Sequence, residues 1–280
     1  MQHLYEPASP NLSPMKNSWS QLLFILLGFL QGFLEWLPVS SSAQVMILSS
    51  LLGFKLIESF EIAFSLHLAS ALAAISYLYF IKNPKNTFLR EDSRGILDNP
   101  WVKLTASVLI SFIVAYPLDL LIREVFEGIS LDAVMGIIGV LLLITGLLMS
   151  KKGIKLKENP SFRDLLIAGV CQGFSVLPGI SRSGITFSIL LLLGIDKTSA
   201  LLWSYYIGIP AVLAAGLYNI LKIESYISLE LILASSLTAF ISGFASIGFM
   251  LKVAKRVEYS QLTMSLGLLY IISSIILFIV

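Results

Sequence analysis

The chain has 280 residues, of which 56% are hydrophobic and only 13% charged, with a formal net charge of +2. Soluble domains carry about 25% charged residues, so a water-soluble globule is excluded and a membrane protein with several spans is expected, in keeping with a mean hydropathy of +0.87. So small a net charge gives no electrostatic basis for a nucleic-acid partner. The single cysteine, Cys171, forms no intrachain disulfide and reads as a small buried hydrophobe.

In chain order, residues 1–20 contain Pro7, Pro10 and Pro14 and one cation, Lys16. They lack the basic region and small-residue cleavage site of a signal peptide and read as a short mobile tail. Residues 21–280 read as one membrane domain. A crossing helix needs about 20 apolar residues. Six stretches qualify: Phe60–Ile81, Trp101–Leu121, Leu131–Met149, Ser199–Leu221, Leu229–Leu251 and Leu262–Val280. Two further apolar regions, Leu22–Leu52 and Leu165–Leu193, are interrupted by PVSSSAQ (38–44) and PGISRSG (178–184). Each flank is about 11 to 17 residues, short for a crossing and suited to a helix–turn–helix that dips in and returns. Proline ends helices at or before its predecessor, so each break falls near its proline. The charged stretch Lys82–Pro100 reads as a solvated connector.

The basic residues test that reading. If both interrupted regions return to their side of origin, 14 of the 19 basic residues fall on one side and four, Lys16, Lys55, Arg123 and Lys222, on the other, with Arg182 left inside. If the second region crossed outright, the split would weaken to 11 against 7. The excess of Lys and Arg marks the cytoplasmic side, which favours the returning hairpins and puts both termini outside the cytoplasm, in a multi-pass protein of the cell membrane.

The two regions also resemble each other. GFLQGF (28–33) matches GVCQGF (169–174), LPVSSS (37–42) falls near LPGISRS (177–183), and LLGF (51–54) lies opposite LLGI (192–195). Gly28 to Gly53 and Gly169 to Gly194 are both 25 residues apart. The expected architecture is all-α, six transmembrane helices plus two re-entrant helix hairpins in an inverted-topology repeat, repeat one over about 21–149 and repeat two over about 164–280. In such folds the ligand site lies near the midplane, where broken helices meet.

Both breaks carry chemistry. Gln31 and Glu35 stand four apart, on one helix face, and a carboxylate at membrane depth suggests function by default. The alternative is a helix-interface acid hydrogen-bonded to a neighbour. The second break offers Ser181, Arg182, Ser183 and Thr186 before a helix beginning at about Gly184. A helix N-terminus with a guanidinium makes an anion site suited to phosphate oxygens, although Arg182 could equally neutralise Glu35 in a structural pair. Ser40, Ser41 or Ser42 becomes a nucleophile only beside an activating base, and the carboxylate could hold Mg²⁺ bridging to phosphate. An amphiphile bearing phosphate fits these features together.

The pattern Q-x-x-x-E followed by PVSS, together with PGISRSGIT, resembles the undecaprenyl-diphosphate phosphatase family, the bacitracin-resistance type of lipid pyrophosphatase, over about residues 20–280. The resemblance implies a polytopic enzyme that removes the terminal phosphate of a polyprenyl diphosphate at the outer membrane face and so recycles a glycan carrier lipid. It implies Mg²⁺ or Ca²⁺ as cofactor, with Glu35 as the acid of metal and catalysis, Ser41 as nucleophile and Arg182 as the diphosphate grip. Gln31, Ser40, Ser42, Gln44, Ser181, Ser183 and Thr186 would line the substrate. Gln44 stands where bacterial members carry a histidine; an amide cannot titrate and so cannot act as general acid or base. His67, alone in the third apolar segment, reads as a packed hydrogen-bonding residue. If Glu35 or a metal-bound water moves the proton, no histidine is needed.

A second reading is a carrier that moves a polyprenyl phosphate or another anionic amphiphile without hydrolysis, since inverted repeats recur in alternating-access transporters. The expected partners are a polyprenyl diphosphate lipid and the membrane, with a homodimer as a further candidate.

Overall fold

The computed structural model describes residues 18–82, 95–151, 157–223, 227–253 and 258–279. Residues 1–17 of the expected tail, most of the connector after Lys82, and Lys16, Lys85, Arg90, Arg94, Lys152, Lys155, Lys255 and Arg256 of the charge sorting lie outside these residues, while residues 18–20 already belong to the first helix. The described part is helical, with one isolated parallel bridge between Lys157 and Ile195. The helices are α1 (Ser18–Glu35), α2 (Ser41–Leu51), α3 (Leu56–Ser65), α4 (His67–Tyr77), α5 (Pro100–Gly128), α6 (Leu131–Ser150), α7 (Phe162–Gly173), α8 (Arg182–Leu192), α9 (Lys197–Ile223), α10 (Leu229–Val253) and α11 (Tyr259–Ile279).

Among the described residues six segments are long and apolar enough to cross a membrane, and each overlaps an expected span: Leu56–Phe80, Pro100–Gly128, Leu131–Ser150, Lys197–Ile223, Leu229–Lys252 and Tyr259–Ile279. They are not equivalent. The first is 72% buried within the protein and the last 17%, so the first is central and the last presents most of its surface outward. The interrupted regions form the short pairs α1/α2 and α7/α8. α1 ends at Glu35, before Pro38, and α7 ends at Gly173, before Pro178.

Two expected boundaries move. The first span is not one helix: α3 stops at Ser65 and α4 starts at His67. In an unbroken helix the Ala63 carbonyl would accept from the His67 backbone, but here it is met by His67 Nδ1 at 2.9 Å, and Ser65 Oγ donates to Ile62 O at 2.7 Å. Side chains that take helix carbonyls bend the helix. The second span continues to Gly128, past the expected end at Leu121, and carries Arg123 within it. Arg123 therefore belongs to a helix and not to a loop. It stays there because its fork is filled, by Asp119 Oδ2 at 2.8 Å, Glu61 Oε1 at 2.9 Å and Asn219 Oδ1 at 2.7 Å.

Relative directions follow from the contacts. Thr238, Ser242 and Ser246 of α10 donate to the carbonyls of Ile25, Phe29 and Phe33 of α1 at 3.2, 3.1 and 2.6 Å, each 213 residues apart, so α1 and α10 run parallel. Gly28 and Gly32 permit the approach, since a Cβ at either would collide with a carbonyl of α10. α4 is also parallel to α10, with Ala73 beside Gly243 and Tyr77 beside Gly248. Gln172 bridges Ser111 of α5 and Ile207 of α9, and Arg123 meets Asn219 further along both helices, so α5 and α9 are parallel. α6 and α11 pack antiparallel, Gly136 against Ser274 and Gly146 against Met264.

The two breaks share backbone features. Ser40 in the first (φ 58) and Gly179 in the second (φ 107) are left-handed, as are Gly53 and Gly194 at the two exits. A non-glycine residue held there costs about 1–3 kcal/mol and is concentrated at functional sites. The Ser40 hydroxyl accepts from Gly179 N–H at 3.1 Å, tying one break to the other.

Candidate active site

Glu35 closes α1 and is almost wholly buried, its side chain 3% exposed. Four side chains converge on it. Gln31, one turn earlier, donates from Nε2 to Oε2 at 2.8 Å. Ser41, at the start of α2, donates from Oγ to Oε2 at 2.6 Å. Arg182, at the start of α8, donates from Nη2 to Oε1 at 2.8 Å. His67 Nε2 stands 3.4 Å from Oε2. A hydroxyl, an acid and a guanidinium from two distant segments thus share one site.

Arg182 is held from several sides. Its guanidinium carbon lies 4.5 Å above the Trp36 ring, and Nη1 points to Ser204 O at 3.4 Å. It rests against Gly208, where a Cβ would displace it. Trp36 meets Tyr205 edge to face at 5.1 Å, and Tyr205 Oη donates to Trp36 O at 3.2 Å. Arg182 Nε has no partner.

The remaining expected site residues divide. α8 begins at Arg182, two residues before the expected start, because Ser181 is its N-cap and accepts from Gly184 N–H at 3.2 Å. Ser183 Oγ donates to Leu37 O at 3.0 Å, binding the breaks together. Thr186 donates to Arg182 O at 2.8 Å and reaches Gln172 Oε1 at 3.4 Å. Ser40 joins the breaks and Ser42 is buried beside them. Gln44 turns elsewhere: Oε1 accepts from Tyr270 Oη of α11 at 2.7 Å, and Nε2 reaches Val39 O at 3.5 Å.

Sequence reasoning did not place Trp36, Tyr205 or His67 at this centre. Trp36 follows Glu35 directly and was legible as a neighbour. The signal for His67 was its stretch, SLHLAS, where Ser65, His67 and Ser70 interrupt an apolar run and all three are buried.

Beside the centre lies a cavity of about 410 Å³. Arg182, His67, Gln172, Asp119, Tyr218 and Asn219 supply its polar lining, with Phe64, Phe112, Val176 and Val212 among the apolar walls. Its size and apolar lining with few polar groups are those of a small-molecule site.

A Mg²⁺ or Ca²⁺ here would meet a single protein carboxylate among the described residues, Glu35, and would take its other oxygens from the substrate diphosphate and water. Such ions take six or more oxygen ligands. Among the described residues no three His, Cys, Asp or Glu come together to hold a metal. The one acid of the centre already receives three hydrogen bonds, one from a guanidinium, and a carboxylate has room for about four.

A polytopic helical membrane protein with an acid, a serine and an arginine buried beside an apolar cavity is the class that fold and site define. The chain belongs to the family described as bacitracin resistance protein BacA, whose model matches residues 24–269. It is 35% identical over 263 residues to a protein of Methanococcoides burtonii named undecaprenyl-diphosphatase, covering 89% of this chain and 96% of that one. A protein of the same name from Methanothrix thermoacetophila is 32% identical over 257 residues, covering 88% and 93%. One from Sulfurisphaera tokodaii is 30% identical over 262 residues, covering 90% and 96%.

Proposed function

We propose that this protein hydrolyses an undecaprenyl-type polyprenyl diphosphate to the monophosphate and inorganic phosphate, recycling the carrier lipid. It is an enzyme of the membrane, a lipid-diphosphate phosphatase. The observation that carries the reading is the Ser41–Glu35–Arg182 constellation, with a hydroxyl 2.6 Å and a guanidinium 2.8 Å from one carboxylate.

Each residue has a part. Arg182 grips the diphosphate, its unpartnered Nε and planar fork matching phosphate oxygens. Glu35 accepts the proton of Ser41 Oγ, or of a water in its place, as that oxygen attacks the terminal phosphorus. The anhydride P–O bond breaks and the lipid monophosphate leaves; where Ser41 has attacked, a water deprotonated by Glu35 then cleaves the phosphoseryl bond, restoring the serine and releasing inorganic phosphate. Gln31 fixes the carboxylate rotamer, and Ser40, Ser181 and Ser183 hold the two breaks in register. No step is assigned to a divalent cation.

The architecture belongs to this proposal: both short helix pairs return to their own side, and the halves form an inverted repeat with both termini outside the cytoplasm. The parallel packing of α5 and α9 supports it. α6 reverses the chain after α5, and α9 regains the direction of α5 only if α7 and α8 together return. α1 and α4 are likewise both parallel to α10, which asks α2 to turn back. The paired left-handed residues at breaks and exits support the internal repeat.

The test is phosphate release from undecaprenyl diphosphate by purified protein in detergent. Release that Arg182→Ala or Glu35→Ala abolishes supports the reading; no release from any polyprenyl diphosphate rejects it. The relatives are named for hydrolysis, which weighs against a carrier. In proteoliposomes hydrolysis without translocation is expected.

A further inference from the structure

Of the four side chains around Glu35, only Arg182 and His67 also line the cavity. Gln31 and Ser41 meet the carboxylate at Oε2 without lining the cavity. A headgroup entering from the cavity therefore passes these two lining residues, Arg182 and His67, on its way to Glu35 and Ser41. His67 is held as a positioned group. Its Nδ1 lies 2.9 Å from Ala63 O, which can only accept, so Nδ1 carries a hydrogen and donates. Its ring stacks on Phe64 at 4.8 Å with the planes 12° apart. Both contacts fix the plane and leave Nε2 facing Glu35 Oε2 at 3.4 Å. That is longer than a good N–H···O hydrogen bond of about 2.7–3.2 Å, so Nε2 is not committed to the carboxylate.

We propose that His67 is a catalytic residue that, with hydrogens on both ring nitrogens, donates from Nε2 to a terminal phosphate oxygen of the diphosphate from the cavity, opposite Arg182. The break between α3 and α4 is what delivers it, because the ring takes the carbonyl that a continuous helix would use. The proposal rests on the diphosphatase reading and goes beyond it. Position 44, which the family resemblance marks for a histidine, is turned to Tyr270, and the imidazole at the centre comes instead from the first span.

The test compares wild type with His67→Gln, which keeps a polar atom at that depth, and His67→Phe, which keeps the stack on Phe64. With undecaprenyl diphosphate as substrate, His67→Phe is expected to lower kcat about 10²-fold with KM changed less than about threefold. His67→Gln should recover at least about tenfold of that loss. Both should keep a Tm within about 5 °C of wild type, since the ring's packing or its polar reach is retained in each. A kcat for His67→Phe within about twofold of wild type would overturn the proposal, as would His67→Phe equalling or exceeding His67→Gln. Loss of fold in both variants also overturns it, because it would make the ring a packing element. No release by wild type sinks the diphosphatase reading itself; release by wild type with an indifferent His67 sinks this proposal alone.

Discussion

Glu35 and Arg182 are 147 residues apart in sequence and 2.8 Å apart in space, with side-chain exposures of 3% and 8%. Removing one partner of a buried pair costs about 3–5 kcal/mol, whereas replacing both with uncharged groups can be nearly neutral. Glu35→Gln and Arg182→Met should each lower the Tm in detergent, and the double variant should recover most of the loss. Phosphate release should stay abolished in all three. A double variant that is both stable and active would reduce the pair to a structural neutralisation.

Gln44 accepts from Tyr270 Oη and stands apart from the four side chains around Glu35. Gln44→His should therefore change kcat by less than about tenfold, since a group that does not reach the reacting atoms contributes little to the transition state. Phosphate release by wild type and Gln44→His, measured side by side, checks this. A gain of about 10²-fold or more, the scale of a newly supplied general acid, would show that position 44 reaches the substrate.

Arg123 binds Asp119 of its own helix, Glu61 of α3 and Asn219 of α9 with side chains largely shielded. Arg123→Met leaves the shielded Asp119 and Glu61 carboxylates without their guanidinium, with Lys222 still 4.0 Å from Glu61, and is expected to cost about 3 kcal/mol or more. The check is the Tm, with Glu124→Met as an exposed control on the same helix. Equal Tm values for the two variants would mean that the network holds nothing.

Asp164 caps α7. Burial alone would raise its carboxyl, but hydrogen bonds from Ser161 N–H at 2.8 Å and Lys157 at 3.0 Å outweigh burial and hold it below its ordinary value. A depressed carboxyl stabilises the fold fully above its unfolded value of about 3.9 and ceases to do so as pH falls through the lower folded value. Asp164→Asn should lower the Tm by about 2–4 °C at pH 7, the scale of one cap of about 1 kcal/mol. The gap should close as pH falls from about 3.9 through the lower folded value. A gap that persists there would assign the loss to packing.

Much of the fold was legible because its signals are one-dimensional. Six apolar runs and two proline breaks give the spans and the short helices directly, and QGFLE and SRSG already placed an acid and a guanidinium at the breaks. What escaped was set by partners distant in sequence. The apolar run from Trp101 ends at Leu121, yet the helix continues to Gly128 because Glu61 and Asn219 shield Asp119 and Arg123. His67 looked isolated because nothing local links it to Glu35; only the folded contact does. Gln44 sat at the family's histidine position, but its side chain is claimed by Tyr270, 226 residues away.

The hydroxyls of Thr238, Ser242 and Ser246 pin α1 to α10 along its length, so the acid at its tip rides on a double-thickness strut. Local opening is drawn from the less constrained parts of a structure. Opening to admit a long isoprenoid is therefore expected on the cavity side, where the jointed first span, α5 and α9 line the hollow. Glu35 serves as the fixed anvil, and the walls around it do the yielding.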